Sequence, residues 1–224
     1  MHVHLPKPLH GWRALIGEVG IIVVGVLIAL GAEQLVEDLR WQHEVSNFRA
    51  AVDHEIGRDL DVWQVMMEQR PCVSRRLDEL ERFLAASTAG NQLHLLRSID
   101  RPVSYSGYYS VWDDKGTDVT DHLPLDVRLK YAEIYDELHN EDVVRLSERD
   151  VWRDMAQFDQ PEALDHADRM RLRDLLTRAR QLDVAERSNA AFIVRLAGRL
   201  GIHPVSDHDN PVLPTEFCQP LLAR

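Results

Sequence analysis

The 224-residue chain has no HExxH, no Walker-type glycine loop, no dinucleotide fingerprint and no GxSxG elbow. Those absences remove the usual sequence signatures of zinc hydrolases, nucleotide-binding enzymes and serine hydrolases. No internal repeat or low-complexity stretch occurs, and no stretch alternates apolar and polar residues convincingly over a strand's length, so solenoids and sheet folds lose their sequence support. Basic residues are in deficit, 26 Lys and Arg against 37 Asp and Glu, for a net charge of -11. Residues 1–32 hold Lys7 and Arg13 against Glu18, which leaves the remainder more acidic still. An acidic domain of this kind is a poor partner for nucleic acid or anionic headgroups. Cysteine is scarce: Cys72 and Cys218 are the only two, too far apart for CxxC redox chemistry.

What the chain does have is one long apolar run. Between Ala14 and Ala32 the only ionisable side chain is Glu18, and 19 helical residues at about 1.5 Å each span roughly 28 Å, one bilayer crossing. Backbone groups in hydrocarbon must be satisfied within the segment, so the run is predicted to be helical despite Gly17, Gly20, Gly25 and Gly31. Trp12 and Trp41 flank it as interface anchors. Lys7 and Arg13 precede it, while Glu33, Glu37 and Asp38 follow; this predicts an amino terminus in the cytoplasm and a carboxyl-terminal domain outside. A cleaved secretory signal is the competing reading, with Ala29-Leu30-Gly31 at its processing site.

Both cysteines fall in the part placed outside the cytoplasm, where disulfides persist in an oxidising compartment. A Cys72–Cys218 bridge is the expectation, against two free buried thiols.

The remaining segments read as helices. The arm 1–11, with Pro6 and Pro8, is extended; residues 12–36 span the bilayer; residues 37–204 form a helical bundle; residues 205–224 are a tail. Leu35, Leu39, Val45, Phe48, Val52, Ile56, Trp63 and Met67 recur at helical spacing. They predict that the membrane helix continues as a stalk to about residue 70, about 87 Å from Trp12, where Pro71 stops it. A second helix through Val73, Leu77, Leu80 and Leu84 would then fold back, ending at residues 87–91. Residues 92–99 would add a further helical turn or two, and Ser104–Lys115 a short helix capped by Ser104 or Ser106. A long helix follows from Leu125 to about Gln157, opened by Pro124, with Leu129, Ala132, Tyr135, Leu138 and Leu146 inside. After Pro161 a last helix runs from about Glu162 to Leu200 and ends at Gly201. The predicted fold is all-α: a transmembrane helix continuing into a periplasmic helical bundle.

The string GEVGIIVVGVLIALGAEQLVE, followed by an amphipathic helix, RPCVSRRLDEL, the Trp112–Gly116 segment and RLKYAEIYDEL, resembles a family of single-pass bacterial inner-membrane proteins of unknown function. The resemblance implies an inner-membrane protein with a periplasmic helical domain. It carries no catalytic residues over.

Candidate site residues are few. Glu18, Gly25, Ala29 and Ala32 share one face of the span, and Gly25-x3-Ala29 would let a second helix approach closely; Glu18 near the boundary fits helix association or a plain anchor. His203, Asp207, His208 and Asp209 could surround a metal ion, although such residues also form solvated loops; His2 and His4 are a weaker pair. His122 with Asp118 and Asp121 reads as a turn. Tyr105, Tyr108, Tyr109 and Trp112 fit a core plug or, less simply, a groove. Ser104, Ser106 and Ser110 have no nucleophile context. Asp136, Glu137, Glu141 and Asp142 read as a solvated helix face. No cofactor or metal is expected, nor an enzyme.

The partners expected are the bilayer, through residues 12–36, and either further copies of the chain or another membrane protein. The functional expectation is a non-enzymatic interaction or scaffold protein. Alternatives are a ligand-sensing bundle acting through a membrane partner, or a periplasmic hydrolase or metal-dependent enzyme.

Overall fold

The structure is a computed structural model that describes residues 11–89, 93–159, 164–206 and 215–223. It is 80% helical, with no strand among the described residues, so the chain is all-α as its periodicity predicts. The elements are α1 (Gly11–Thr88), α2 (Ser110–Asp113), α3 (Thr117–Asp121), α4 (Leu125–Met155) and α5 (His166–Leu200), with short 3-10 turns at Ala156–Phe158 and Thr215–Cys218. The chain divides into two compact units, Met1–Phe48 and Arg49–Arg224.

In the first unit the described residues are the opening of α1. Its side chains from Leu15 through Leu30 are exposed, Ile21 by 76% and Ile28 by 67%, and the apolar stretch meets the length and composition needed to cross a membrane. Leu35 and Leu39 beyond it are exposed as well.

The second unit is a three-helix bundle whose directions follow from its cross-contacts. Tyr131 on α4 bonds Asp53, Tyr135 bonds Glu55, and Glu148 meets Arg70, so α4 runs parallel to this part of α1. On α5, Asp183 meets Arg70 while Arg180 meets Asp78 and Glu81, so α5 runs antiparallel to both. Parallel neighbours cannot be joined by a tight turn. Residues 98–111 supply the crossover, descending beside α1: Ser98 lies at Arg76, Val103 at Gln69, Tyr108 at Asp59 and Val111 at Glu55.

Pro71 does not end the helix. It lies inside α1, and Val73, Leu77 and Leu80 belong to that same helix rather than to one folded back. The ring is solvent-exposed, where the carbonyl it leaves unbonded can be hydrated, while Arg70 at 1% and Val73 at 0% exposure are fixed in the bundle on either side. Tertiary packing outweighs the local signal. Residues 93–99 are not helical, and in the 104–115 stretch only Ser110–Asp113 forms a helix, preceded by Tyr109 rather than a serine cap.

The apolar core has Val73, Leu77, Leu80 and Phe83 of α1, Val151, Trp152 and Met155 of α4, and Leu172, Leu175 and Leu176 of α5, closed by Phe217, Leu221 and Leu222 of the tail. Leu129 and Leu146, expected inside, are 59% and 49% exposed; Tyr131, Ile134 and Val151 take the inner positions of α4. α5 starts one turn later than expected because Asp165 forms a capping box with Asp168, its side chain accepting from Asp168 N at 2.8 Å. It ends at Gly201, whose φ of 75° is the left-handed helix stop.

Candidate functional site: a buried polar layer and a tethered strap

The bundle interior carries charge where the periodicity predicts carbon. Arg70 donates to both oxygens of Glu148, at 2.7 and 3.1 Å, and to Asp183 at 3.4 Å, with Glu186 3.7 Å away. Arg187 joins from α5, bonding Asp183 at 3.1 Å and the Arg70 carbonyl at 2.8 Å. Asn189 donates to Glu141 at 2.7 Å. Glu141, Glu148, Asp183 and Glu186 are all buried, and these four carboxyls outnumber Arg70 and Arg187. A buried anion without a counter-charge takes up a proton instead. Burial accordingly raises the pKa of Glu186, and its neighbour Glu141 further favours the protonated form; Glu141 is itself raised by burial. Glu141 is therefore no part of a solvated face. Nor is Asp142, whose carboxylate is bonded by the Tyr109 hydroxyl and ion-paired to Arg145 at 2.7 Å.

A second set of polar contacts holds the crossover. Glu55 accepts from the Tyr135 hydroxyl at 2.6 Å, from Val111 N at 2.9 Å and from the Ser110 hydroxyl at 3.2 Å. Asp59 accepts from Tyr108 N at 2.9 Å, Gln69 from Val103 N at 2.9 Å, and Arg145 donates to the Tyr105 carbonyl. Asp59 is 2% exposed. Burial is the main cause that lifts its pKa from 3.8 to about 7, the neighbouring Glu55 adding to it. Trp112 stacks on Tyr135 with ring centroids 5.0 Å apart, as a core plug would, while Tyr108 remains 40% exposed. Among the described residues Ser110 meets Glu55 and no histidine.

The third polar cluster seats the tail. Cys72 and Cys218 form a disulfide. Arg76 donates to the Phe217 carbonyl at 2.7 Å and the Gln219 carbonyl at 3.3 Å, Arg97 to Pro220 at 3.1 Å, and Glu79 accepts from Leu221 N at 2.9 Å. This is a backbone-directed seat for an extended segment.

The other predicted residues fall elsewhere. Glu18, Gly25, Ala29 and Ala32 stand on exposed α1, and a Cβ at Gly25 would meet nothing within 4 Å. His203 is exposed; Asp207, His208, Asp209, His2 and His4 lie outside the described residues. His122 bonds the Asp118 carbonyl at 2.8 Å, but Asp118 and Asp121 belong to helix α3, which His122 caps, and not to the turn expected there. Among the described residues no group of three or more His, Cys, Asp or Glu is arranged to hold a metal ion. Sequence reasoning missed Arg70, Glu148, Asp183 and Glu186; their spacing on the inward stripes of α1, α4 and α5 was the available signal.

The chain matches no protein-family model, no curated protein and no solved structure.

Proposed function

We propose that residues 12–36 anchor the chain in the bacterial inner membrane, with its amino terminus cytoplasmic, and that the bundle works in the periplasm as a non-enzymatic interaction or scaffold protein. The observation that carries this reading is the apolar opening of α1, whose described side chains from Leu15 to Leu30 are exposed. So long an unburied apolar helix needs another apolar medium, and lipid supplies it. The Cys72–Cys218 bridge suits an oxidising compartment. The ionisable interior is engaged in holding helices, strap and tail together, which leaves the outer surface and the span as the parts that meet partners. Gly25 and Ala29, one turn apart on the exposed helix, favour contact with a second span.

The reading is tested by alkaline phosphatase fused after Arg224. An active fusion that stays with membranes through alkaline extraction is expected. An inactive fusion overturns the topology, and release of the fusion into the soluble fraction overturns the anchor. Crosslinking in native membranes identifies the partners.

A further inference from the structure

We propose that residues 103–111 form an acid-locked strap, seated on the bundle when Asp59 is protonated and loosened when Asp59 ionises. Its motivation is how the strap is held. Between Val103 and Tyr108 no backbone-to-backbone hydrogen bond secures it among the described residues. Its anchors are side chains: Gln69 at Val103 N, Arg145 at the Tyr105 carbonyl, the Tyr109 hydroxyl at Gly107 N, and Asp59 at Tyr108 N. Such a segment has no secondary structure of its own to keep it shut.

Asp59 is the anchor that can change state. One carboxyl oxygen accepts from Tyr108 N, whereas the other, Oδ2, is buried and has no hydrogen-bond partner among the described residues. A neutral carboxyl keeps the Tyr108 bond and places its proton on the second oxygen. An ionised one brings an unsolvated oxygen beside two other carboxylates, Glu55 on α1 and Asp142 on α4. The Tyr135 and Tyr109 hydroxyls are taken by Glu55 and Asp142. Arg145, although its Nε has no hydrogen-bond partner among the described residues, is drawn to Asp142 and the strap carbonyl, and its charge opposes the rise at Asp59 less than burial drives it. Arg58 of α1 lies over the Tyr108 ring, 4.1 Å from its centroid. Water supplies the missing donor when Tyr108 lifts, so ionisation and opening are linked.

The linkage fixes the sign and the window. An opened strap returns Asp59 to its ordinary value of 3.8, and the closed form holds the proton to about 7. Opening therefore becomes easier as pH rises between those limits and levels off above neutrality. Hydrogen exchange of the full-length protein in detergent, from pH 5 to 8 and corrected for intrinsic amide rates, reads this directly. Peptides covering residues 103–111 are expected to lose protection by up to about tenfold per pH unit until neutrality, the slope for one proton, at a protection well below that of peptides from the middle of α5, which follow overall stability. Asp59→Asn and Asp59→Leu should each flatten the profile. A flat wild-type profile overturns the proposal, and so does a pH dependence that survives in both variants.

Discussion

Arg70 of α1 grips Glu148 of α4 through two bonds, 2.7 and 3.1 Å long, although both side chains are almost wholly shut off from solvent. The pair fixes the level at which α4 docks on α1. Taking one member away leaves the other as a buried, uncompensated charge. Arg70→Ala is expected to destabilise the bundle by about 3–5 kcal/mol, measured by urea unfolding in mild detergent. Replacing Arg70 by Met together with Glu148→Leu should recover most of that loss. If the double variant is no better than Arg70→Ala, the cost lies in the contacts of Arg70 with Asp183 and Glu186 and not in the orphaned Glu148.

Glu186 gives the bundle a pH dependence opposite to ordinary acid denaturation. Below the usual glutamate value of 4.5 both folded and unfolded chains hold the proton, and above it the unfolded chain releases it while buried Glu186 keeps it. The unfolded state then binds fewer protons, so this residue's contribution to stability falls as pH rises. Glu186→Gln keeps a donor toward Glu141 and removes the titration. It should raise the melting temperature at pH 8 and change little at pH 4.5. An equal shift at both values would show that Glu186 is not the titrating group.

The helices were legible because burial repeats at a period of 3.6 residues: the boundaries of α4, the Gly201 stop and the core placement of Tyr135 and Leu138 all follow from pattern. Pro71 misled because a local rule reads one lost hydrogen bond, whereas Arg70 and Val73 on either side bind the helix to two others. Glu141 misled for the same reason in reverse. A carboxylate reads as a solvated residue, and only the long-range placement of Asn189 and Glu186 shows its burial. The strap was invisible since its partners elsewhere in the bundle lie 33 to 56 positions away, a pairing that no local window contains. The tail was legible only as far as Cys218.

Gly57 is required for close approach. A Cβ at this position would stand 2.7 Å from Val205 Cγ2 and 2.9 Å from the His203 carbonyl oxygen, and the Gly57 carbonyl accepts from Val205 N at 2.9 Å. The backbone oxygen cannot turn aside as a side chain could. Despite the helix-propensity gain, Gly57→Ala should destabilise the bundle by roughly 1–3 kcal/mol and speed exchange of the Val205 amide. A more stable Gly57→Ala protein would mean that residues 203–205 do not pack there.

The Cys72–Cys218 bridge joins residues 146 apart in sequence, so in the chain-entropy description it removes a large share of the unfolded chain's freedom, worth roughly 5 kcal/mol. Its loss should also act locally, because Phe217, Leu221 and Leu222 are delivered to the core by a segment with little backbone pairing of its own. Cys72→Ser with Cys218→Ser is expected to lower the melting temperature and to make peptides from 215–223 exchange faster than any core helix. The carbonyl contacts of Arg76 persist without the sulfurs, so the tail should remain partly seated. Adding Arg76→Met to the cysteine-free protein should then release it, seen as a further fall in protection confined to the tail and residues 95–99. Full release in the double-serine protein alone would assign the seat to the disulfide and leave Arg76 only its charge contacts.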